Sequence, residues 1–136
     1  MNRREFLAGC AAGASLTGCI GFHYVNTSVA GNRLLVRLAD FGSRRFALVD
    51  APGLPLPLYL YRLDDGGFSA VSTRCMHRGC QVEPAAEHLV CPCHGSEYTN
   101  TGEIVKGPTQ RPLRKLVVHQ EGQNIAIELP ASAEGW

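Results

Sequence analysis

Two short boxes between residues 75 and 98 bring together four cysteines, two histidines, a serine and a tyrosine. Thiolate sulfur and imidazole nitrogen are the ligands that zinc and iron–sulfur clusters take from proteins. Both ligand types occur in each of two boxes, so the pattern predicts a metal centre built from two loops. The boxes are separated by ten residues and read Cys75-Met76-His77-Arg78-Gly79-Cys80 and Cys91-Pro92-Cys93-His94-Gly95-Ser96-Glu97-Tyr98.

The ligand types alone leave two kinds of centre open. Two cysteines and two histidines make a good tetrahedral zinc set, so a structural zinc domain is one alternative. Zinc needs four ligands, however, and the two boxes supply two cysteines beyond that number. This surplus favours an iron–sulfur site over zinc.

Both boxes resemble the Rieske [2Fe–2S] family almost residue for residue. The resemblance implies that Cys75 and Cys91 bind one iron as thiolates and that His77 and His94 bind the other as neutral imidazoles. Two thiolates in place of four leave the oxidised cluster without net charge, so it accepts an electron more easily. Reduction potentials in this class span about −150 to +300 mV. The implied cofactor is one [2Fe–2S] cluster.

The resemblance also assigns roles to residues that are not ligands. In the family, Cys80 and Cys93 form a disulfide that ties the two loops together, and such a bond persists in oxidising compartments. Ser96 and Tyr98 match positions whose hydroxyls donate hydrogen bonds to a bridging sulfide and to the sulfur of a cysteine ligand, here Cys75. Donors aimed at sulfur stabilise the more negative reduced state, so we expect a high-potential centre.

Two positions depart from the family pattern. Arg78 stands where cytochrome bc-type Rieske subunits have an apolar residue, and we expect it beside the exposed histidine face. Gly107-Pro108-Thr109-Gln110 matches only half of the family's Gly-Pro-x-Pro loop. We therefore expect the shielding of the cluster and the docking of partners to differ from those of the bc-type subunits.

The first 18 residues resemble a twin-arginine export signal. Arg3 and Arg4 precede an apolar, Ala- and Gly-rich run that ends near Ile20. An amphipathic first helix or an uncleaved anchor is the alternative. The run is shorter than the roughly 20 residues that span a bilayer, and its glycines weaken it as a helix. We therefore expect a signal peptide at residues 1–18.

Residues 16–19, Leu16-Thr17-Gly18-Cys19, resemble a bacterial lipobox. Cleavage before Cys19 would make that residue a lipidated N-terminus, whereas an unmodified thiol in a plain signal peptide is the alternative. The rival match that ends at Cys10 lies too close to the arginines for a hydrophobic region to precede it. We expect a lipid anchor on Cys19, followed by a short polar linker over residues 19–32.

The remainder of the chain contains short apolar, β-prone segments separated by Gly, Pro and Asp turns. No helical period is present outside the leader, so the sequence predicts an all-β domain. Asp64-Asp65-Gly66-Gly67 predicts a hairpin between the strands on either side. Three further strand predictions are a first antiparallel pair over residues 33–38 and 46–49, a short strand over 103–105, and a last pair over 115–119 and 124–129.

The Rieske resemblance adds an architecture to this all-β prediction. It implies small stacked antiparallel sheets with an inserted cluster-binding subdomain at about residues 73–112. The whole domain would cover residues 33–130, and residues 131–136 would form a C-terminal tail. With 136 residues, the chain has no room for the second domain of a Rieske oxygenase.

Together these features predict an exported, lipid-anchored protein that passes single electrons at the outer, periplasmic face of the cytoplasmic membrane. Its expected partners are redox proteins: a cytochrome, an oxidase or the large subunit of an oxidoreductase. No substrate site of its own is predicted. The formal net charge of +1, without a basic stripe, argues against nucleic acid as a partner. A ferredoxin-like carrier that serves an oxygenase is the second functional alternative.

Overall fold

The structure is a computed structural model that describes residues 23–76, 79–133 and 136. Within these ranges the chain forms twelve short strands and a single helical turn. The elements are, in chain order, β1 (Ser28–Ala30), β2 (Arg33–Arg37), α1 (Leu38–Phe41), β3 (Phe46–Val49), β4 (Leu58–Arg62), β5 (Phe68–Ser72), β6 (Glu83–Ala85), β7 (His88–Val90), β8 (Glu97–Thr99), β9 (Ile104–Lys106), β10 (Lys115–Leu116), β11 (Val118–Glu121) and β12 (Asn124–Glu128).

The strands form three antiparallel sheets of four strands each. The outer sheet has the order β1-β2-β12-β11, the middle sheet β10-β5-β4-β3, and the third sheet β6-β7-β8-β9. Every strand pair is antiparallel. The predicted all-β class with stacked antiparallel sheets is therefore confirmed.

The middle sheet is buried on both faces, which explains why its strands are apolar at nearly every position. Side chains of a strand point alternately to the two faces of the sheet. Along β4, Leu58 and Leu60 pack into one hydrophobic core, whereas Tyr59 between them packs into another. Strand β3 divides in the same way, with Leu48 on the face of Tyr59.

The first core fills the space between the outer and middle sheets. Alternate residues of β2 and β12 point into it, and the side chains of Leu34, Val36, Ile125 and Ile127 are all fully buried. Burying a Val, Leu or Ile side chain contributes about 1.5–3 kcal/mol. This core therefore supports the middle sheet from behind, on the side away from the two boxes.

The second core lies between the middle sheet and the third sheet, and it contains the two cysteines that begin the boxes. Cys75 and Cys91 are buried there against side chains from both sheets. The largest side chains of this core are those of Tyr59 and Tyr98. The fold thus places the first cysteine of each box in an apolar interior.

The third sheet is inserted between two strands of the middle sheet. Strands β5 and β10 pair directly, with Leu116 opposite Ala70. The residues between those strands, 73–114, make up the third sheet with its loops. The predicted inserted subdomain is therefore confirmed.

Some local predictions are wrong. Residues 33–38 and 46–49 do not pair with each other, because β2 pairs with β1 and β12 while β3 pairs with β4. The predicted strand over residues 115–119 divides at Val117 into β10 and β11, which belong to different sheets. A helical turn, Leu38–Phe41, was not predicted. The β4–β5 hairpin is confirmed.

Part of the expected linker is folded onto the domain. Tyr24 forms an isolated bridge with Leu48, Val25 is buried in the first core, and β1 extends the outer sheet. Residues 23–32 are therefore packed against the domain, because their backbone and one apolar side chain find partners in the sheets. The predicted signal peptide and the proposed lipid site at Cys19 lie outside the described residues. No helix within the described ranges is long and apolar enough to cross a membrane.

Candidate metal centre

The two boxes fold into loops with the same backbone hydrogen bonds. In the first loop, residues 75–80, the amide of Cys75 donates to the carbonyl of Cys80 at 2.7 Å, and the amide of Gly79 donates to the carbonyl of Cys75 at 2.8 Å. The second loop, residues 91–96, repeats both bonds at equivalent positions, at 2.7 and 2.9 Å. Each loop therefore presents its first cysteine from the same backbone frame.

A glycine occupies the fifth position of each loop for a conformational reason. Gly79 and Gly95 have φ angles of +78° and +79°. Residues with a Cβ rarely adopt this left-handed region, whereas glycine enters it freely. The glycines let each loop turn back so that the fifth amide reaches the carbonyl of the first cysteine.

Cys75 and Cys91 lie outside the disulfide and are almost completely buried, with 1% and 0% of their surface exposed. Burial is the largest cause that raises the pKa of the Cys91 thiol above its ordinary value. A thiol in such a site keeps its proton until a cation replaces it, since metal ligands must be deprotonated. Two buried thiols, one from each loop, are therefore suited to holding a metal centre and poorly suited to reacting with solvent.

The two histidines of the boxes differ in what the structure says of them. His94 is exposed at the tip of the second loop. His77 lies outside the described residues, as does Arg78. The structure thus separates a buried thiol side of the centre from a surface that carries an imidazole.

A disulfide joins the two loops. The Sγ atoms of Cys80 and Cys93 are 2.02 Å apart, and the pair is the one that the resemblance implies. The Sγ atom of Cys91 lies within 4.8 Å of both disulfide sulfurs. Because Cys80 and Cys93 are bonded to each other, the thiols left for a metal in the two loops are those of Cys75 and Cys91.

Tyr98 contacts one of the buried thiols. Its hydroxyl lies 3.3 Å from the Sγ atom of Cys75, and its ring is fully buried in the second core. Burial, followed by the hydrogen bond with Cys75, raises the pKa of Tyr98 to about 12. The phenol therefore retains its proton and can donate a hydrogen bond to a thiolate at Cys75.

Ser96 connects the second loop to a third loop, residues 107–112. Its side chain is fully buried, and its Oγ atom accepts a hydrogen bond from the amide of Thr109 at 3.1 Å. Thr109 is itself buried, and its hydroxyl donates to the carbonyl of Arg111 at 3.0 Å. Because the Thr109 amide uses an acceptor position of Ser96 Oγ, the O–H of Ser96 can still donate a hydrogen bond.

Sequence reasoning missed residues that fix the loops from outside the boxes. Thr109 is one, and its only signal was a small polar residue inside the half-matching Gly-Pro loop. A second contact joins the sheets: the hydroxyl of Tyr59 donates to Asn100 Oδ1 at 2.9 Å, and Asn100 Nδ2 donates to the carbonyl of Glu87 at 2.9 Å. No sequence pattern indicates this contact, because its members are far apart along the chain.

The model of the Rieske [2Fe-2S] domain family matches residues 36–120 of this chain. The chain belongs to the Rieske [2Fe–2S] family. Membership identifies the cofactor as one [2Fe–2S] cluster. The residues present fit such a cluster, because the Rieske loops bring two buried thiols together, with a protonated phenol beside one of them.

Two curated proteins are similar in sequence to this Rieske domain. The cytochrome b6-f complex iron-sulfur subunit of Chlorobaculum tepidum is 41% identical over 66 residues, which are 47% of this chain and 36% of that protein. The subunit of the same name from Synechococcus sp. (strain WH7803) is 31% identical over 76% of this chain and 53% of its own length. The chain thus spans only about a third to a half of these curated relatives.

A solved structure supports the same family. The crystal structure of the cyanobacterial plasma membrane Rieske protein PetC3 from Synechocystis PCC 6803 aligns with a TM-score of 0.59 at 33% sequence identity. The alignment covers 68% of this chain and 94% of that one. A ferredoxin found in complex with the oxygenase of carbazole 1,9a-dioxygenase aligns with a TM-score of 0.57 at 22% identity, which shows a shared fold.

Proposed function

We propose that this chain is a high-potential electron-transfer protein in which Cys75 and Cys91 hold one iron of the cluster and His77 and His94 hold the other. The observation that carries this proposal is the pair of buried thiols on two loops that share the same pair of backbone hydrogen bonds, with His94 exposed at the tip of one loop. A Rieske cluster takes up and gives back a single electron. We propose that the chain acts through this electron transfer and assign it no catalysis of its own.

The buried side of the site would keep the charge of the thiolates away from water. Cys75 and Cys91 are packed in the second core, and the Cys80–Cys93 disulfide holds their loops together. Holding the loops together would keep the separation of the two cysteines similar in the oxidised and reduced states. A rigid site of this kind lowers the energy needed to rearrange the protein when the cluster gains or loses an electron.

Tyr98 and Ser96 would raise the reduction potential. The Tyr98 hydroxyl lies 3.3 Å from the sulfur of Cys75 and would donate to it once that sulfur is a thiolate, and the Ser96 hydroxyl is oriented by its bond from Thr109. Hydrogen bonds to charged acceptors contribute about 1.5–3 kcal/mol each. They stabilise the reduced state more, because that state carries one more negative charge.

The exposed end of the site would exchange electrons with a partner protein. His94 is at the surface, whereas Cys91, three residues earlier, is buried. The curated relatives are iron–sulfur subunits of cytochrome b6-f complexes. We therefore propose a redox protein as partner, such as a cytochrome, an oxidase or the large subunit of an oxidoreductase.

We also propose that the protein is exported already folded and is anchored through Cys19 at the periplasmic side of the cytoplasmic membrane. The twin-arginine leader and the lipobox support this location. The Cys80–Cys93 disulfide supports it independently, because such bonds persist in oxidising compartments. The same bond disfavours a cytoplasmic, ferredoxin-like carrier for an oxygenase.

Metal analysis of the purified protein tests the function. We expect two irons and two acid-labile sulfides per chain, together with reversible one-electron reduction. His94→Ala should lose the iron. The matched control is His88→Ala, since His88 is a surface histidine that lies 3.4 Å from Glu97 and outside both boxes. A colourless protein with one zinc would contradict the proposal.

The location is tested separately by fractionation and mass spectrometry. We expect a diacylated Cys19 as the mature N-terminus, and retention in the cytoplasm when Arg3 and Arg4 are both replaced by Lys. An unmodified N-terminus downstream of Cys19 would contradict the anchor. That result would leave the proposed electron transfer untouched.

A further inference from the structure

Arg74 lies directly before Cys75, and its guanidinium packs against the backbone of the first loop. A Cβ atom placed on Gly79 would come within 3.3 Å of the Nε atom and 3.5 Å of an Nη atom of Arg74. The side chain of Arg74 is therefore in close contact with the fifth residue of the loop. Its position next to a proposed ligand makes it part of the surroundings of the metal centre.

Several contacts hold Arg74 in this place. Its amide donates to Ser72 Oγ at 3.1 Å, and its backbone forms an isolated bridge with Gln81, which follows the first loop. Its guanidinium donates to the main-chain oxygen of Trp136 at 3.1 Å. The side chain is half-buried, so its charge is less screened than that of a fully exposed arginine.

Trp136 is itself held by a second arginine. The guanidinium of Arg114 lies 5.3 Å from the centre of the Trp136 ring, at cation–π distance. The amide of Trp136 also donates to the carbonyl of Ala133 at 3.1 Å. Contacts therefore run from Arg114, directly before β10, through Trp136 to Arg74 at the first loop, and we call these three residues the brace.

The guanidinium of Arg74 is held between two groups: its Nη1 atom donates to the main-chain oxygen of Trp136, and its Nε and second Nη atoms face Gly79. The aspartate and glutamate side chains that form ion pairs within residues 23–76, 79–133 and 136 pair with other arginines, a lysine and two histidines. The brace also borders a cleft of about 420 Å³ lined by Pro55, Leu56, Arg74, Gly79 and Trp136. A guanidinium in this position carries a permanent positive charge.

We propose that Arg74 is a positioning residue that keeps a positive charge against Gly79 of the first loop and thereby raises the reduction potential of the centre. The inference rests on the proposed function. Reduction adds one negative charge beside the first loop, and a positive charge close to it lowers the energy of that state. Trp136 contributes by holding the guanidinium against the loop, and Arg114 contributes by holding Trp136.

The test is a redox titration of the iron-loaded full chain and its variants. We expect Arg74→Gln to make reduction about tenfold less favourable, which corresponds to a potential about 59 mV lower. Arg74→Lys keeps the charge and should recover most of that loss. Arg37→Gln is the matched control, because it removes the same charge from an exposed position in the outer sheet and should leave the potential unchanged.

A second variant keeps the charge on Arg74 and the main-chain oxygen that it binds, but removes the ring through which Arg114 holds residue 136. Trp136→Ala should lower the potential in the same direction as Arg74→Gln but by less, because residue 136 then holds the guanidinium against the loop less firmly. This variant decides the matter if Arg74→Gln does not retain iron. An iron-loaded Trp136→Ala protein with the parent's potential would then overturn the inference.

The outcomes separate this inference from the proposed function. A parent protein without iron and labile sulfide would defeat the proposed function. A parent with a full cluster, together with equal potentials in Arg74→Gln and Arg37→Gln, would overturn only the role of Arg74. A potential that fell in Arg74→Gln and failed to recover in Arg74→Lys would show that the charge is not the cause, and would also overturn it.

Discussion

The first and second loops share one backbone frame but are supported by different groups. In both, the first cysteine is buried and a glycine with positive φ closes the turn. Side chains support the first loop: the guanidinium of Arg74 packs on Gly79, and the Tyr98 hydroxyl contacts Cys75. A backbone amide supports the second, since Thr109 donates to Ser96.

The two loops keep the same backbone hydrogen bonds although their histidine and disulfide cysteine stand at different positions. The histidine stands third in the first loop and fourth in the second, while the disulfide cysteine stands sixth in the first and third in the second. The repeated hydrogen bonds fix where the buried sulfur lies. The histidine and the disulfide cysteine can therefore stand at different positions in the two loops.

The largest expected effect comes from the bond that joins the two loops. Cys80 and Cys93 are 13 residues apart, and closing a loop of about 15 residues stabilises a fold by about 3 kcal/mol. We expect the double variant Cys80→Ser/Cys93→Ser to lose about that much free energy of unfolding in a denaturant titration. Reduction of the parent by dithiothreitol should reproduce the loss. Equal midpoints would show that the loops do not depend on the disulfide.

The two glycines give the sharpest contrast between the loops. Gly95→Ala should cost about 1–2 kcal/mol, which is the strain of a left-handed residue with a Cβ. Gly79→Ala should cost more, because its Cβ meets Arg74 at 3.3 Å, whereas nothing lies within 4 Å of the equivalent atom on Gly95. Unfolding free energies of both variants measure the difference. In an Arg74→Ala background the excess should disappear, and an excess that persisted there would contradict the contact.

Tyr98→Phe tests the hydroxyl that contacts Cys75 in the first loop, and Ser96→Ala tests the hydroxyl in the second loop. Each should lower the reduction potential by tens of mV, because a hydrogen bond to a charged group is worth about 1.5 kcal/mol or more, and the part of it that is gained on reduction shifts the potential by about 59 mV for each tenfold change. Tyr61→Phe is the control, because its hydroxyl accepts a bond from Arg45 instead. Potentials that did not move in Tyr98→Phe would refute the role of the contact with Cys75.

The smallest effect concerns an ion pair that anchors the strand after the second loop. Glu103 lies in the turn between β8 and β9, and Lys115 of β10 binds its carboxylate at 2.5 Å. This bond, followed by those from Thr101 and Thr99, lowers the pKa of Glu103 from 4.5 to about 2. Both side chains are about half exposed, so the expected contribution is below about 1 kcal/mol.

The sign of this effect follows from the lowered pKa. The stabilisation is fully present above the ordinary pKa of a glutamate and is lost as the pH falls toward 2. The free energy of unfolding of the parent should therefore decrease between pH 5 and pH 2 by more than that of Glu103→Gln. Identical pH profiles in the two proteins would show that the pair does not stabilise the folded state.

How well the strands could be predicted depended on how local their pairing is. The hairpin of β4 and β5 follows from Asp64 to Gly67, since the turn residues lie between the strands that pair. The partner of β2 is β12, and Leu35 lies opposite Ala126 with no local signal to connect them. For the same reason, the division at Val117 between two sheets could not be read from a continuous apolar run.

The candidate site divides in a similar way. The two boxes predicted the loops and the cysteines, because the chemistry is concentrated in residues close in sequence. Arg74 and Thr109 depend on tertiary contacts with Trp136 and Ser96, which lie 62 and 13 residues away. Such supports leave no motif in the sequence, so they emerge only when the chain is folded.

The central claim is that two histidine nitrogens, together with the thiolates of Cys75 and Cys91, bind the irons. Pulsed electron paramagnetic resonance of the reduced protein labelled with ¹⁵N-histidine tests this claim directly. We expect couplings from two histidine nitrogens bound to iron, and we expect His88→Ala to retain both. Loss of the iron in His77→Ala and in His94→Ala would assign the two ligands. A reduced centre without any histidine coupling would mean that the irons are held by other ligands and would contradict the account.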